Sequence, residues 1–202
     1  MPAQPLDVLA RIRRPRTSGP PAARCDLCGA EVPDDHPHVV DLDDRGLRCA
    51  CRPCALLFTA QGAAGGRFRT VPDRYLALAG FALAPGQWED LQVPVSVAFF
   101  FHNSRRGEVG AFYPGPAGAT ESLLPLDAWT AIEAAHPALA GLQPDVEALL
   151  VRAPDEAYIV PIDVCYELVG RLRRTWKGFD GGADARAELD DFFARVRRRA
   201  GG

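Results

Sequence analysis

Between Cys25 and Cys54 the chain reads CDLCGAEVPDDHPHVVDLDDRGLRCACRPC, and five of its six cysteines fall within these thirty residues. They form Cys25-x-x-Cys28 and Cys51-x-x-Cys54, with Cys49 separated from the second pair by one residue. A turn that holds two thiolates on one tetrahedral ion needs about this two-residue gap, and two such turns complete a four-sulfur cage. The spacing therefore predicts a structural zinc site with Cys25, Cys28, Cys51 and Cys54 as ligands. A single CxxC carries little weight, because redox dithiols share it; two joined by a hairpin-length segment are specific.

The intervening residues predict that hairpin. His38 to Leu42 reads as a strand, Asp43 to Gly46 as its turn, and Leu47 to Ala50 as the return strand. The second pair then opens a helix, with Pro53 in the first turn, where a missing N–H does no harm, and no breaker until Gly62. Knuckle, hairpin and helix together make a treble-clef-like arrangement, and a zinc ribbon fits the same pairs.

Other chemistries share these thiolates. Disulfides are disfavoured because the chain shows no secretory signal and Cys165 would be left without a partner. Iron, in a rubredoxin-like site or a cluster, uses the same ligand set and stays open beside zinc. Cys49, His36 and His38 are alternate ligands. The two histidines alternate around Pro37 and so face the same way, where they would replace a cysteine, hold a second ion or form a supporting shell. Solvated hairpin histidines are the preferred reading.

Length and charge bound the remainder. The 202 residues suffice for one hydrophobic core plus a small metal-held module, and the net charge of −3 gives no pull toward nucleic acid or anionic membrane. An excess of positive charge falls at the two ends, at Arg11 to Arg24 and Arg195 to Arg199, so the body between is acidic, and the cysteine segment is acidic too, which disfavours a nucleic-acid-reading finger. No apolar run approaches the roughly 20 residues of a membrane span, so no membrane insertion is expected. A reducing cytoplasm suits a thiolate–metal site and an unpaired Cys165.

The expected organisation is a flexible basic tail over residues 1–24, a four-cysteine metal-binding module over 25–66 and an α+β domain over 67–202. The tail carries an amphipathic candidate, Leu6 to Arg14, followed by the linker-like PRTSGPPAAR. Arg67 to Val71 reads as a strand, and Arg74 to Leu83 as a short helix or irregular chain. VSVAFFFHNS (Val95 to Ser104) lacks polar alternation and predicts a strand covered on both faces, with Val109 to Tyr113 as its antiparallel partner. After the loop PGPAGATES, a helix is predicted from an N-cap at Asp127 to Pro137. Asp145 to Arg152 and Ala157 to Val160 read as paired strands.

The last third is helical. Ile162, Cys165, Val169, Leu172 and Trp176 line one face of a helix opened by Pro161 and stopped by Gly178. A second helix, capped by Asp184, turns Ala185, Leu189, Phe192, Phe193 and Val196 inward. Its acidic residues come early and its arginines late, the order that complements the helix dipole, so the terminal basic run reads as a solvated helix end. The sum is α+β: an antiparallel sheet covered by helices behind a small metal module.

No catalytic constellation is evident. PGPAGATES follows a strand, as phosphate loops do, but has no Gly-Lys-Ser/Thr; its prolines and small residues suit a face laid against a partner, or a turn holding Glu121 and Ser122. Cys165 sits on an apolar stripe and reads as a small buried hydrophobe, and Asp163, in the first turn of the same helix, reads as a carboxylate that stabilises the helix without any chemistry. Neither His102 nor His136 has a nucleophile near it in sequence. A pocket gathering His102, Glu121 and Asp163 would be the mark of an enzyme.

CDLCGAEVPDDHPHVVDL…LRCACRPCALLF, PVSVAFFFHNS, YPGPAGATESLLPLDAW, PDVEALLV, VPIDVCYELVGRLRRTWKGFDGG and DDFFARV together resemble an uncharacterised bacterial family, a domain of unknown function of about this length. Its members are often encoded beside uptake NiFe-hydrogenase subunits and their maturation factors. The resemblance covers nearly the whole chain from Arg24. It implies a cytoplasmic accessory role with a hydrogenase subunit or maturation protein as partner, and it implies no catalytic residues. The expectation is a non-catalytic, metal-stabilised, protein-binding accessory protein. The rival expectation is an iron–thiolate electron-transfer or metal-delivery protein that uses Cys49, His36 and His38 as exchange ligands.

Overall fold

Phe99 and Phe100 are adjacent in sequence and both fully buried, which requires apolar layers on the two faces of the strand that carries them. The computed structural model describes residues 23–122, 126–178 and 181–201. The amphipathic candidate at Leu6 to Arg14, its linker as far as Ala22, and Leu123 and Leu124 lie outside them.

Six strands form the main sheet: β4 (Leu76–Ala77), β5 (Val97–Asn103), β6 (Glu108–Gly115), β7 (Gly118–Ser122), β8 (Glu147–Arg152) and β9 (Glu156–Pro161). Their order is β4-β9-β8-β5-β6-β7, with every pairing antiparallel. β5 is paired on both edges, with β8 opposite Val97 to Phe100 and β6 opposite Phe99 to Asn103, and Val97 to Phe100 are buried on both faces.

Side chains alternate across the sheet with period two. Val97, Phe99, Ala148, Leu150, Tyr158 and Val160 face a layer made by α4 (Ile162–Thr175) and α5 (Gly182–Ala200). Ala98, Phe100, Leu149, Val151, Ala157 and Ile159 face the other way, onto Phe81, onto Leu91 at the end of the short α2 (Gln87–Asp90) and onto α3 (Leu126–Ala135), where Phe100 stacks on Trp129 at 5.5 Å. Cys165, Val169 and Leu172 of α4 and all five inward residues predicted for α5 are buried.

A second sheet, β2-β1-β3, is built from β1 (His38–Asp41), β2 (Gly46–Cys49) and β3 (Phe68–Thr70). Val40 and Leu42 join the core formed by the main sheet and its two long helices. Val39 points oppositely, into a separate small cluster with Ala50 and Ala55, lined by Leu27, Phe58 and Phe68. The cysteine segment thus has an apolar anchor of its own and an edge buried in the larger core.

Several local expectations need correction. The helix after Cys51, α1 (Arg52–Leu56), stops after five residues instead of reaching Gly62, because Thr70 donates its hydroxyl to Ala55 O and its backbone N–H to Phe58 O, drawing the chain into β3. PGPAGATES is no open loop: Gly115 pairs with Gly118 around Pro116 and Ala117, and the remainder is the edge strand β7. Pro116 fixes a negative φ in the two-residue loop, and the residue after the loop, Gly118, takes the positive φ of 129 instead. Asp127 and Asp184 sit inside the first turns of α3 and α5 and cap neither; Gly181, at φ 85, holds the cap position of α5. Arg74 to Leu83 is irregular apart from β4. Arg197, Arg198 and Arg199 are solvent-exposed, as expected of a solvated helix end, and three of the C-terminal arginines also pair with the body, Arg197 to Glu156 at 2.6 Å, Arg199 to Asp73 at 2.7 Å and Arg195 to Glu167 at 3.2 Å.

Candidate metal centre

The first CxxC lies on a tight reversal. Gly29, at φ 75, turns the chain back so that its N–H reaches Cys25 O at 2.8 Å, while the N–H of Cys25 reaches Ala30 O at 2.8 Å. The second pair spans the extended residue Cys51, whose carbonyl accepts from Ala55 at 2.9 Å, and the first turn of α1. Asp26 draws the two halves together: its carboxylate accepts the N–H of Cys49 at 2.7 Å, and its own N–H donates to Cys49 O at 2.8 Å.

As a result the sulfur atoms of Cys25, Cys28, Cys51 and Cys54 lie within 4.8 Å of one another, and Cys28 Sγ stands 3.7 Å from Cys51 Sγ. A tetrahedral ion with zinc–sulfur bonds near 2.3 Å requires sulfur–sulfur separations of about 3.8 Å, whereas a disulfide requires about 2 Å. None of the six cysteines is in a disulfide.

Burial opposes ionisation of Cys25, but backbone hydrogen bonds from Cys51, Leu27 and Cys28 outweigh it and bring the thiol down to about 6. Cys54 is pushed up to about 12, chiefly by side-chain hydrogen bonds with Cys51 and Cys28 and then by burial. The Cys25 thiolate is favoured while Cys28 and Cys54 are pushed up, a conflict that a cation at the centre of the four would relieve.

Cys49 is absent from this group. In β2 it stands directly opposite His38 of β1, and both of its backbone groups go to Asp26, so the two residues form a narrow pair without mutual hydrogen bonds, the kind whose side chains approach most closely. Cys49, His36 and His38 make a second set with ligand atoms within 4.8 Å of one another. The histidines are half-buried and hydrogen-bonded, contrary to the preferred reading of them as solvated. His36 Nδ1 donates to Pro33 O at 2.7 Å, and His38 Nδ1 donates to Asp163 Oδ2 at 2.8 Å.

The remaining candidates do not converge. Asp163, at the start of α4, is engaged with His38. A cleft of about 330 Å³ between the β1–β2 hairpin and the main sheet is lined by Glu121, Arg45, Phe101, Phe112 and Tyr166, and neither His102 nor Asp163 reaches it. Glu121 pairs there with Arg106 at 3.1 Å, and Ser122 donates its hydroxyl to Leu91 O and Gln92 O. Cys165 is fully buried, and burial pushes its thiol well above the ordinary range, as suits a core residue. Sequence reasoning missed Asp26, which carries no local signature, and took Asp163 for a simple helix-start carboxylate. Among the described residues no helix is long and apolar enough to cross a membrane.

The model of a family described as "Family of unknown function (DUF5947)" matches residues 24–200. No curated protein and no solved structure matches the chain.

Proposed function

We propose that this chain, which belongs to the family of unknown function DUF5947, is a non-catalytic accessory protein whose N-terminal segment is held by one structural zinc ion on Cys25, Cys28, Cys51 and Cys54. The observation that carries the metal reading is the 3.7 Å separation of Cys28 and Cys51 within a set of four convergent sulfurs. All four tetrahedral positions are then filled by protein, which is the pattern of a structural site and leaves no place for substrate. Knuckle, hairpin and the first turn of α1 would form a treble-clef-like knob.

Protein binding is supported by what the knob displays. Leu56 and Leu57, at the end of α1, are 60% and 67% exposed. Two adjacent leucines in water beside a rigid metal site suit burial against a partner. On this reading the docking face is centred on α1. The partner class is the one the family resemblance implies, a hydrogenase subunit or maturation protein in the cytoplasm, where the thiolates stay reduced.

The test pairs metal analysis with defined partners. Purified protein is expected to be colourless, with zinc on the four-cysteine set that Cys25→Ser or Cys51→Ser removes. Leu56→Ser/Leu57→Ser is expected to keep the zinc and to lose capture of purified hydrogenase subunits or maturation proteins. Ferric–thiolate colour would overturn the zinc assignment. Failure to capture any of these partners, together with normal hydrogenase activity in a deletion strain, would overturn the accessory role.

A further inference from the structure

We infer that His36, His38 and Cys49 form a second, open metal site, which takes a divalent late transition ion of the zinc class through His36 Nε2, His38 Nε2 and Cys49 Sγ. This site is separate from the four-cysteine set, and its case does not rest on the proposed accessory role.

Four observations converge. The three side chains bring ligand atoms within 4.8 Å of one another from two strands and the residue before Pro37, with the imidazole centroids 4.8 Å apart. In each ring Nδ1 is committed as a donor, to a carbonyl in His36 and to a carboxylate in His38, which fixes the tautomer and leaves the Nε2 lone pair free. His36 Nε2 is buried with no hydrogen-bond partner among the described residues, and a buried polar nitrogen without one is costly unless something coordinates it. Asp163 holds His38 from a position 125 residues away, giving the carboxylate–imidazole arrangement that orients metal-binding histidines and raises their basicity. The other carboxylate oxygen of Asp163 accepts the N–H of Val164 at 2.8 Å, so the carboxylate itself is fixed in place.

Two imidazoles and a thiolate are a borderline-soft donor set, suited to zinc, cobalt or nickel and unsuited to magnesium or calcium. Three protein ligands leave one tetrahedral position for water or for a donor from another molecule, the mark of an exchangeable site. The two sets therefore differ in kind, one closed by four sulfurs and one open with mixed nitrogen and sulfur donors. His38 also joins the cysteine segment to the start of α4, so occupancy of the open site bears on the junction with the larger core.

The test uses the full-length, zinc-loaded protein, with Co²⁺ as the probe and plasma mass spectrometry for stoichiometry. Wild type is expected to hold two metal equivalents per chain, the second showing tetrahedral Co²⁺ absorption with a thiolate-to-cobalt charge-transfer band. Cys49→Ser and His36→Gln should each hold one. Asp163→Asn should keep the second equivalent with about 10- to 100-fold weaker Co²⁺ affinity, a change that a merely structural role for Asp163 would not produce. Cys28→Ser should disturb the sulfur-only site and leave the mixed-ligand spectrum, so the two sites fail independently. A single equivalent in wild type, retention of two by Cys49→Ser, or a second equivalent without the charge-transfer band would each overturn the inference. The wild-type stoichiometry and spectrum decide the matter even if a variant does not fold.

Discussion

Replacing Arg74 with alanine should be among the most damaging changes to a surface-reaching side chain, because its partner is not at the surface. Glu147, at the start of β8, has no solvent exposure and is gripped bidentately by Arg74, Nε to Oε1 at 2.6 Å and Nη2 to Oε2 at 2.5 Å. Among the described residues, the one other donor to this carboxylate is the N–H of Gln143 at 2.9 Å. Removing the guanidinium leaves a buried carboxylate with that single donor. Breaking a buried pair from one side costs about 3–5 kcal/mol, and the 40% exposure of the Arg74 side chain, which lets water into the vacated space, argues for about 3. For a chain of this length that corresponds to a fall of about 6–12 °C in Tm.

Urea unfolding at fixed, saturating zinc is the assay, so that metal linkage is equal in every variant. Arg74→Met/Glu147→Met, which removes both charges and keeps apolar bulk, should recover at least half of the loss, since a pair is costly to break and much less costly to delete. The reasoning fails if Arg74→Ala costs less than about 1 kcal/mol, the range of exposed ion pairs, or if the double variant is no better than the single one.

Asp41 gives an acid-side prediction. Hydrogen bonding to Arg67 holds its carboxyl at about 2, against an ordinary value of 3.8. A depressed folded-state pKa stabilises above the unfolded value and loses that contribution as pH falls toward the folded one. Because Arg67 is half exposed, solvent screening limits the contribution to about 1 kcal/mol. The stability gap between wild type and Arg67→Gln should therefore be complete above pH about 4 and gone near pH 2, and a gap unchanged across that window would refute the pairing. Cys165 should resist thiol reagents in the native, metal-loaded protein and react once urea unfolds it; labelling of the folded state at an exposed-thiol rate would show that the α4 stripe is not sealed.

The convergence of the four cysteines, the β1–β2 hairpin, the doubly covered β5 and the inner faces of α4 and α5 were legible in the residues themselves. Each depends on neighbours within a turn or a strand: a two-residue gap between thiolates, period-two burial, or apolar steps of three and four. Phe192, Phe193 and Val196 had to share a face once the segment was helical, whatever lay opposite.

Contacts between distant segments were not legible. Local spacing left Cys49 and Cys51 as rivals, and the strand register separated them by setting Cys49 against His38 while Cys51 turned toward Cys28. PGPAGATES has loop composition, yet β6 offered it a free edge, and backbone hydrogen bonding to that edge outweighed its weak strand propensity. Asp163 looked like an ordinary helix-start carboxylate until the fold brought it to His38, and nothing local in the Asp145 to Arg152 strand marked Glu147 as a partner for Arg74. Sequence determines what a segment can satisfy internally; burying a charge or orienting an imidazole needs a partner from elsewhere in the chain, and only the tertiary structure supplies it.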